Sequence, residues 1–283
     1  MTKHTLPIDG VEVPAFFYGT AWKEEQTQHL TELALERGFR GIDTANQRRH
    51  YDEAAVGRAI SAAISKGMVA REDLFLQTKF TFRRGQDHRL PYDPKAAIPV
   101  QVEQSFASSL AHLGVERIDS YLLHGPTSST GLTADDWAAW RAMETIHDSG
   151  RARMLGVSNF QIEQLQQLWQ KARVRPRFVQ NRCYARLGWD RQVREFCRVH
   201  GVVYQGFSLL TANRETLAAD QLVQIAARHR RTIPQIVFRF AIQVGMIPLM
   251  GTTDAEHMQA DLDVFDFRLE PAEIAWIEDW DMR

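Results

Sequence analysis

Seven polar residues stand at the last position of a short β-branched or apolar run, or one place beyond it: Asp43, Lys79, His124, Ser158, Asn159, Gln180 and Asn181. Runs of that kind read as strands, so these side chains come from the ends of five successive strands. In a parallel α/β barrel such ends converge on one mouth. A structural hydrogen bond would satisfy any one of them; their recurrence at equivalent positions predicts an assembled site. Asp43 and Lys79 form the natural ion pair, because a lysine at a barrel mouth needs an anionic partner. A tyrosine beside that ammonium is expected to have its phenol pKa lowered from about 10, which would make a general acid for carbonyl reduction. His124 would orient and polarise the carbonyl oxygen. Reduction also needs a hydride, which no side chain supplies, so the pattern requires a cofactor.

The elements that must position these residues repeat as strand and helix. Eight candidate strands cover residues 16–19, 41–43, 74–79, 120–124, 154–158, 178–181, 202–207 and 246–249. Between them, segments 26–37, 54–65, 100–113, 137–149, 161–172, 191–200 and 221–228 carry apolar residues at three- and four-residue intervals, as amphipathic outer helices do. Two helices, 216–228 and 234–244, fill the gap before the last strand, with the break at 232–234. Gly38, Gly67, Gly114, Gly150 and Gly201 each follow a helical segment and read as left-handed terminators. The expected fold is one (β/α)8 TIM barrel over residues 1–283, a length ordinary for a fold of roughly 250 residues. The long loops 80–99 and 125–136 follow the third and fourth strands and fall at the mouth.

Composition narrows the partners. The net charge of −1 offers no field for nucleic acid or an anionic membrane, and no apolar run reaches the ~18 residues of a span. Arg228, Arg230 and Arg231 read as a solvated helix end. Cys183 and Cys197 lack metal-ligand spacing and read as buried and inert, which suits a reducing compartment. The first ten residues have no signal-peptide pattern, so a cytoplasmic protein is expected, with a monomer as default.

Against this reading stands a resemblance. Gly38-Phe-Arg-Gly-Ile-Asp-Thr-Ala45 followed by Glu53-Ala-Ala-Val-Gly57 resembles the first signature of the aldo-keto reductases. Thr78-Lys79, Tyr121-Leu-Leu-His124-Gly-Pro126, Gly156-Val-Ser-Asn159-Phe160, and Ile247-Pro248 with Gly251-Thr252 follow in the family's order, from about Phe17 to Phe267. The resemblance implies the barrel and NAD(P)H-dependent reduction of a small aldehyde or ketone by a Tyr-Lys-Asp-His tetrad. Asp43, Lys79 and His124 match three of its members. Thr20, Ser158, Asn159, Gln180 and Asn181 match cofactor-binding positions, Phe207 the ring that stacks on the nicotinamide, and Ser208 and Leu210 the pyrophosphate segment.

Three departures follow. The acid tyrosine usually lies five residues after the aspartate, where this chain has Arg48, and the stretch Asn46-Gln-Arg-Arg-His-Tyr51 carries about two extra residues. Tyr51 is the favoured donor and His50 the alternative; Arg48 and Arg49 read as a solvated loop. The family's 2′-phosphate grip has no Lys or Arg here, leaving Gly251, Thr252, Thr253, His257 and the amides at the start of the helix that Asp254 caps. NADP(H) is favoured and NAD(H) stays open. The chain ends soon after a predicted helix over 271–280, where many relatives add a substrate-covering loop, so an open mouth is expected, walled by Trp22, the two long loops and Tyr184. Two rivals keep the barrel without the reduction: a cofactor-binding regulatory subunit, as the potassium-channel β-subunits of this family are, and a dehydratase or isomerase.

Overall fold

The computed structural model describes residues 4–282. It begins with an antiparallel hairpin, β1 (Thr5–Ile8) and β2 (Val11–Pro14). Its two-residue turn is Asp9-Gly10, both with positive φ, which matches the twist of the strands it joins. This Asp-Gly signal was legible in the sequence, yet the hairpin lies outside the elements expected there. Eight parallel strands then close a barrel: β3 (Phe17–Gly19), β4 (Gly41–Asp43), β5 (Phe75–Phe80), β6 (Ile118–Leu123), β7 (Ala152–Ser158), β8 (Phe178–Arg182), β9 (Val203–Phe207) and β10 (Met246–Met250), with β10 pairing back onto β3.

The helices are α1 (Thr27–Arg37), α2 (Glu53–Ser65), α3 (Ile98–Leu113), α4 (Ala134–Asp148), α5 (Ile162–Lys171), α6 (Arg191–His200), α7 (Arg214–Leu217), α8 (Asp220–His229), α9 (Ile233–Gln243), α10 (Ala255–Leu262) and α11 (Pro271–Glu278). The helix expected over 216–228 is two pieces, because Ala219 between them is extended. The five glycines expected to end helices all have positive φ. Gly57 has a different duty: a Cβ there would lie 1.9 Å from the carbonyl oxygen of His112, so α2 and α3 approach this closely only with glycine. The basic end of α8 is docked and not simply solvated. Arg228 and His229 both bind Glu273, at 2.9 and 2.7 Å, and Arg231 lies over the Phe267 ring.

Alternation along the strands layers the barrel interior. At the N-terminal end Phe17, Phe75, Met154, Phe178 and Ile247 pack with Val13 of the hairpin. Two residues further along the same faces come Gln77, Gln180 and Gln205, and two further still Lys79 and Phe207. The apolar plug carries the polar layers towards the mouth. Among the described residues no helix is long and apolar enough to cross a membrane.

Candidate active site

The C-terminal strand ends open on a cavity of about 640 Å³. Asp43 lines its floor and Lys79, its ion-pair partner, lies behind it; they are 1% and 0% exposed. The Lys79 ammonium donates to both Asp43 carboxylate oxygens at 2.7 Å and to the Thr44 carbonyl at 2.9 Å, which commits all three N–H bonds. Asp43 Oδ1 also accepts from the amides of Gln77 at 2.7 Å and Gln180 at 3.0 Å, and both amides donate to Gln205 Oε1 as well. Gln77 and Gln205 escaped sequence reasoning. Each stands two residues before a recognised site residue on the same strand face, and that spacing was the available signal.

Tyr51 is half-buried beside this floor. Its ring meets the His124 ring edge to face, with centroids 6.0 Å apart, and Lys79 Nζ lies 5.4 Å from its centre. The lowered phenol pKa expected from the sequence does not arise. Burial, and after it the charge of Asp43, push the Tyr51 phenol up, because the ammonium is already neutralised by Asp43. Burial likewise lowers the Lys79 ammonium, with Asp43 opposing. At neutral pH the phenol therefore holds its proton.

His50 lines the same cavity but is turned to another task. It stacks on Trp22, with centroids 3.6 Å apart, and its carbonyl accepts the Trp22 N–H at 2.7 Å. Burial, and then the charge of Arg49, lower its pKa, so the ring is neutral. Trp22 itself is 67% exposed with φ of 61°, a wall standing at the mouth. Arg48 turns to Asp52 at 2.8 Å.

His124 Nδ1 lies 2.7 Å from the Thr81 hydroxyl. Burial, reinforced by the Lys79 charge, drops the imidazole to about 3, so it too is neutral. A hydroxyl donating to Nδ1 leaves Nε2 to carry the proton. Thr81 is held in turn: its carbonyl accepts the Tyr92 hydroxyl at 2.8 Å, and its methyl needs Gly85 as neighbour, since a Cβ there would come within 2.7 Å.

On the other side, Ser158, Asn159, Gln180, Phe207, Ser208, Leu210, Gly251 and Thr252 line the cavity. Ser158 Oγ donates to the Gln180 carbonyl at 2.7 Å and accepts from Asn159 Nδ2, which also bonds the His124 carbonyl. Five expected residues are not brought in. Asn181 points to the opposite strand face, where it bonds the Phe160 backbone and Asp190. Thr20 bonds the Asp43 carbonyl and positions that strand. Thr253, His257 and Tyr184 do not line the cavity, and the amides of Glu256 and His257 are taken by Asp254 as helix cap, so they are not free for a phosphate. Among the lining residues not named from the sequence, two besides Arg182 carry ionisable groups. Lys23 follows Trp22 in the same loop and donates to the Gly251 carbonyl, and the buried Asp261 has its carboxyl raised to about 7 by burial. A flat ring, amide and hydroxyl groups and a cation along one cavity suit a nicotinamide dinucleotide.

Residues 15–281 match the model described as the Aldo/keto reductase family. The chain belongs to the aldo/keto reductase family. It is 32% identical over 263 residues to an uncharacterized oxidoreductase, YtbE, of Bacillus subtilis, covering 92% of this chain and 86% of that one. It is 29% identical to the glyoxal reductase of the same organism, over 98% of this chain and 92% of the relative. An aldo/keto reductase structure from Brucella melitensis superimposes with a TM-score of 0.81 at 27% identity, over 98% of both chains. The Bombyx mori aldo-keto reductase in complex with NADP does so with 0.83 at 26% identity, over 98% of this chain and 92% of that one. As a member of this family, the reductase is an oxidoreductase of carbonyl compounds that works with a nicotinamide cofactor.

Proposed function

We propose that this reductase is a single-domain, monomeric, cytoplasmic enzyme in which Tyr51 gives the proton to the carbonyl oxygen and NADP(H) is the favoured cofactor. The facing of Tyr51 and His124 across the cavity, with Lys79 over the phenol ring, carries the reading. When bound, the reduced nicotinamide supplies the hydride that side chains lack. Neutral His124 donates from Nε2 to the carbonyl oxygen and fixes its direction. As that oxygen becomes an alkoxide, a far stronger base than a phenolate, Tyr51 releases its proton to it. Lys79 then faces the phenolate, and Asp43 keeps the ammonium in place and charged. Ser158, Asn159 and Gln180 hold the nicotinamide amide, Phe207 its ring face, and Ser208, Leu210, Gly251, Thr252 and Lys23 the phosphates. The NADP complex of the Bombyx mori relative supports that cofactor, and two buried free thiols support a reducing compartment.

The test follows NADPH and NADH absorbance with a panel of aldehydes, ketones and quinones. Turnover by the native protein and by His50→Ala, lost in Tyr51→Phe, is the expected result. Turnover lost in His50→Ala alone would exchange the two roles, and cofactor binding without turnover on any substrate would end the reductase reading.

A further inference from the structure

Beside the main cavity lies a second one of about 420 Å³ that shares Gln47, His124 and Asn159 with it. It opens between the loops after β5 and β6, and Thr81, Arg84 and Ser128 give it polar walls. Arg84 is the informative residue. Its guanidinium donates to the carbonyl oxygens of Pro126 and Thr127, which fixes it at the lip, and three of its five N–H bonds stay unspent. Among the described residues no carboxylate pairs with it. Arg48 is paired with Asp52 and Arg89 with Asp87; Arg83 is exposed like Arg84 but, unlike it, neither lines the cavity nor is tied to the loop after β6.

A guanidinium held in place with spare donors matches the oxygens of a carboxylate or phosphate. Because His124 borders both cavities, a carbonyl bonded to it leaves the remainder of the molecule a path towards Arg84. We propose that the side cavity takes the far end of the carbonyl substrate and that this end is anionic, a carboxylate or phosphate seated on Arg84. The proposal rests on the reading of His124 and Tyr51 as the carbonyl site.

The test uses the NADPH-loaded protein and substrate pairs that differ in charge at the far end: 4-oxobutanoate against its methyl ester, and glyceraldehyde 3-phosphate against glyceraldehyde. The charged member of at least one pair is expected to have a kcat/KM roughly tenfold higher, and which pair shows it identifies the anion. Arg84→Ala should remove most of that advantage through KM, while Arg83→Ala, an exposed neighbour outside the cavity wall, should keep it. Equal kcat/KM within both pairs, or Arg84→Ala lowering both members alike, overturns the proposal. Calorimetric titration with unreactive succinate and glycerol 3-phosphate reads the site without turnover. Binding weakened roughly tenfold by Arg84→Ala supports the anion site even if no carbonyl is reduced, which would count against the reductase reading alone. Absence of binding by either anion overturns it even if turnover is seen.

Discussion

At the floor of the cavity the ion pair is fully partnered: Lys79 is saturated by Asp43 and Thr44, and Gln77, Gln180 and Gln205 tie Asp43 to three further strands, with Gln77 Oε1 and Gln205 Nε2 left without a partner. The rim is built otherwise. Tyr51, His50 and Trp22 sit on irregular backbone, and Trp22 is largely exposed. Strands dictate where a floor residue points, so the floor is over-determined. Loops place a rim residue through a few contacts, so the rim can exchange one residue for another while the chemistry beneath it stays fixed.

The strongest way to break this contrast is Lys79→Met, which leaves Asp43 charged and buried without its partner. It should cost about 3–5 kcal/mol in denaturant unfolding and abolish turnover. Tyr51→Phe comes next: kcat should fall by about 10²–10⁴ with cofactor affinity, read by fluorescence titration, and unfolding midpoint nearly unchanged. If Tyr51→Phe instead unfolds the protein, the rim is as integral as the floor.

Thr81→Val should lower kcat by roughly tenfold through the wrong His124 tautomer, with Thr81→Ser restoring it and the ring nitrogen shifts reporting the change. The pH dependence of stability sharpens the same point. His124 titrates near 3 folded and near about 6.5 unfolded, so below the higher value the unfolded chain binds the extra proton. Its contribution is complete above that value and declines towards pH 3 by up to about 1.4 kcal/mol per unit, a slope that His124→Gln should remove. The smallest effect concerns the cofactor. With Asp254 occupying the Glu256 and His257 amides, NADPH and NADH dissociation constants should differ by less than about tenfold.

All eight barrel strands were legible because each joins an apolar run to a flanking helical period, and only their ends moved, as where β5 gains Phe80. The hairpin was overlooked because no helical period flanks its strands. At the site, Asp43, Lys79 and His124 follow from strand ends alone. Asn181 did not, because adjacent strand residues point to opposite faces and only the register against β9 decides that Gln180 is the inward one.

Sequence by itself thus determined the barrel, its helical coat and the buried ion pair, since these depend on local periodicity and on the cost of an unpaired buried charge. Tertiary structure alone decided that Tyr51 faces His124, that His50 packs on Trp22, and that the Thr81 hydroxyl meets His124 Nδ1. Those contacts join loops distant in sequence, and a loop's direction is set by what it packs against and not by its own residues.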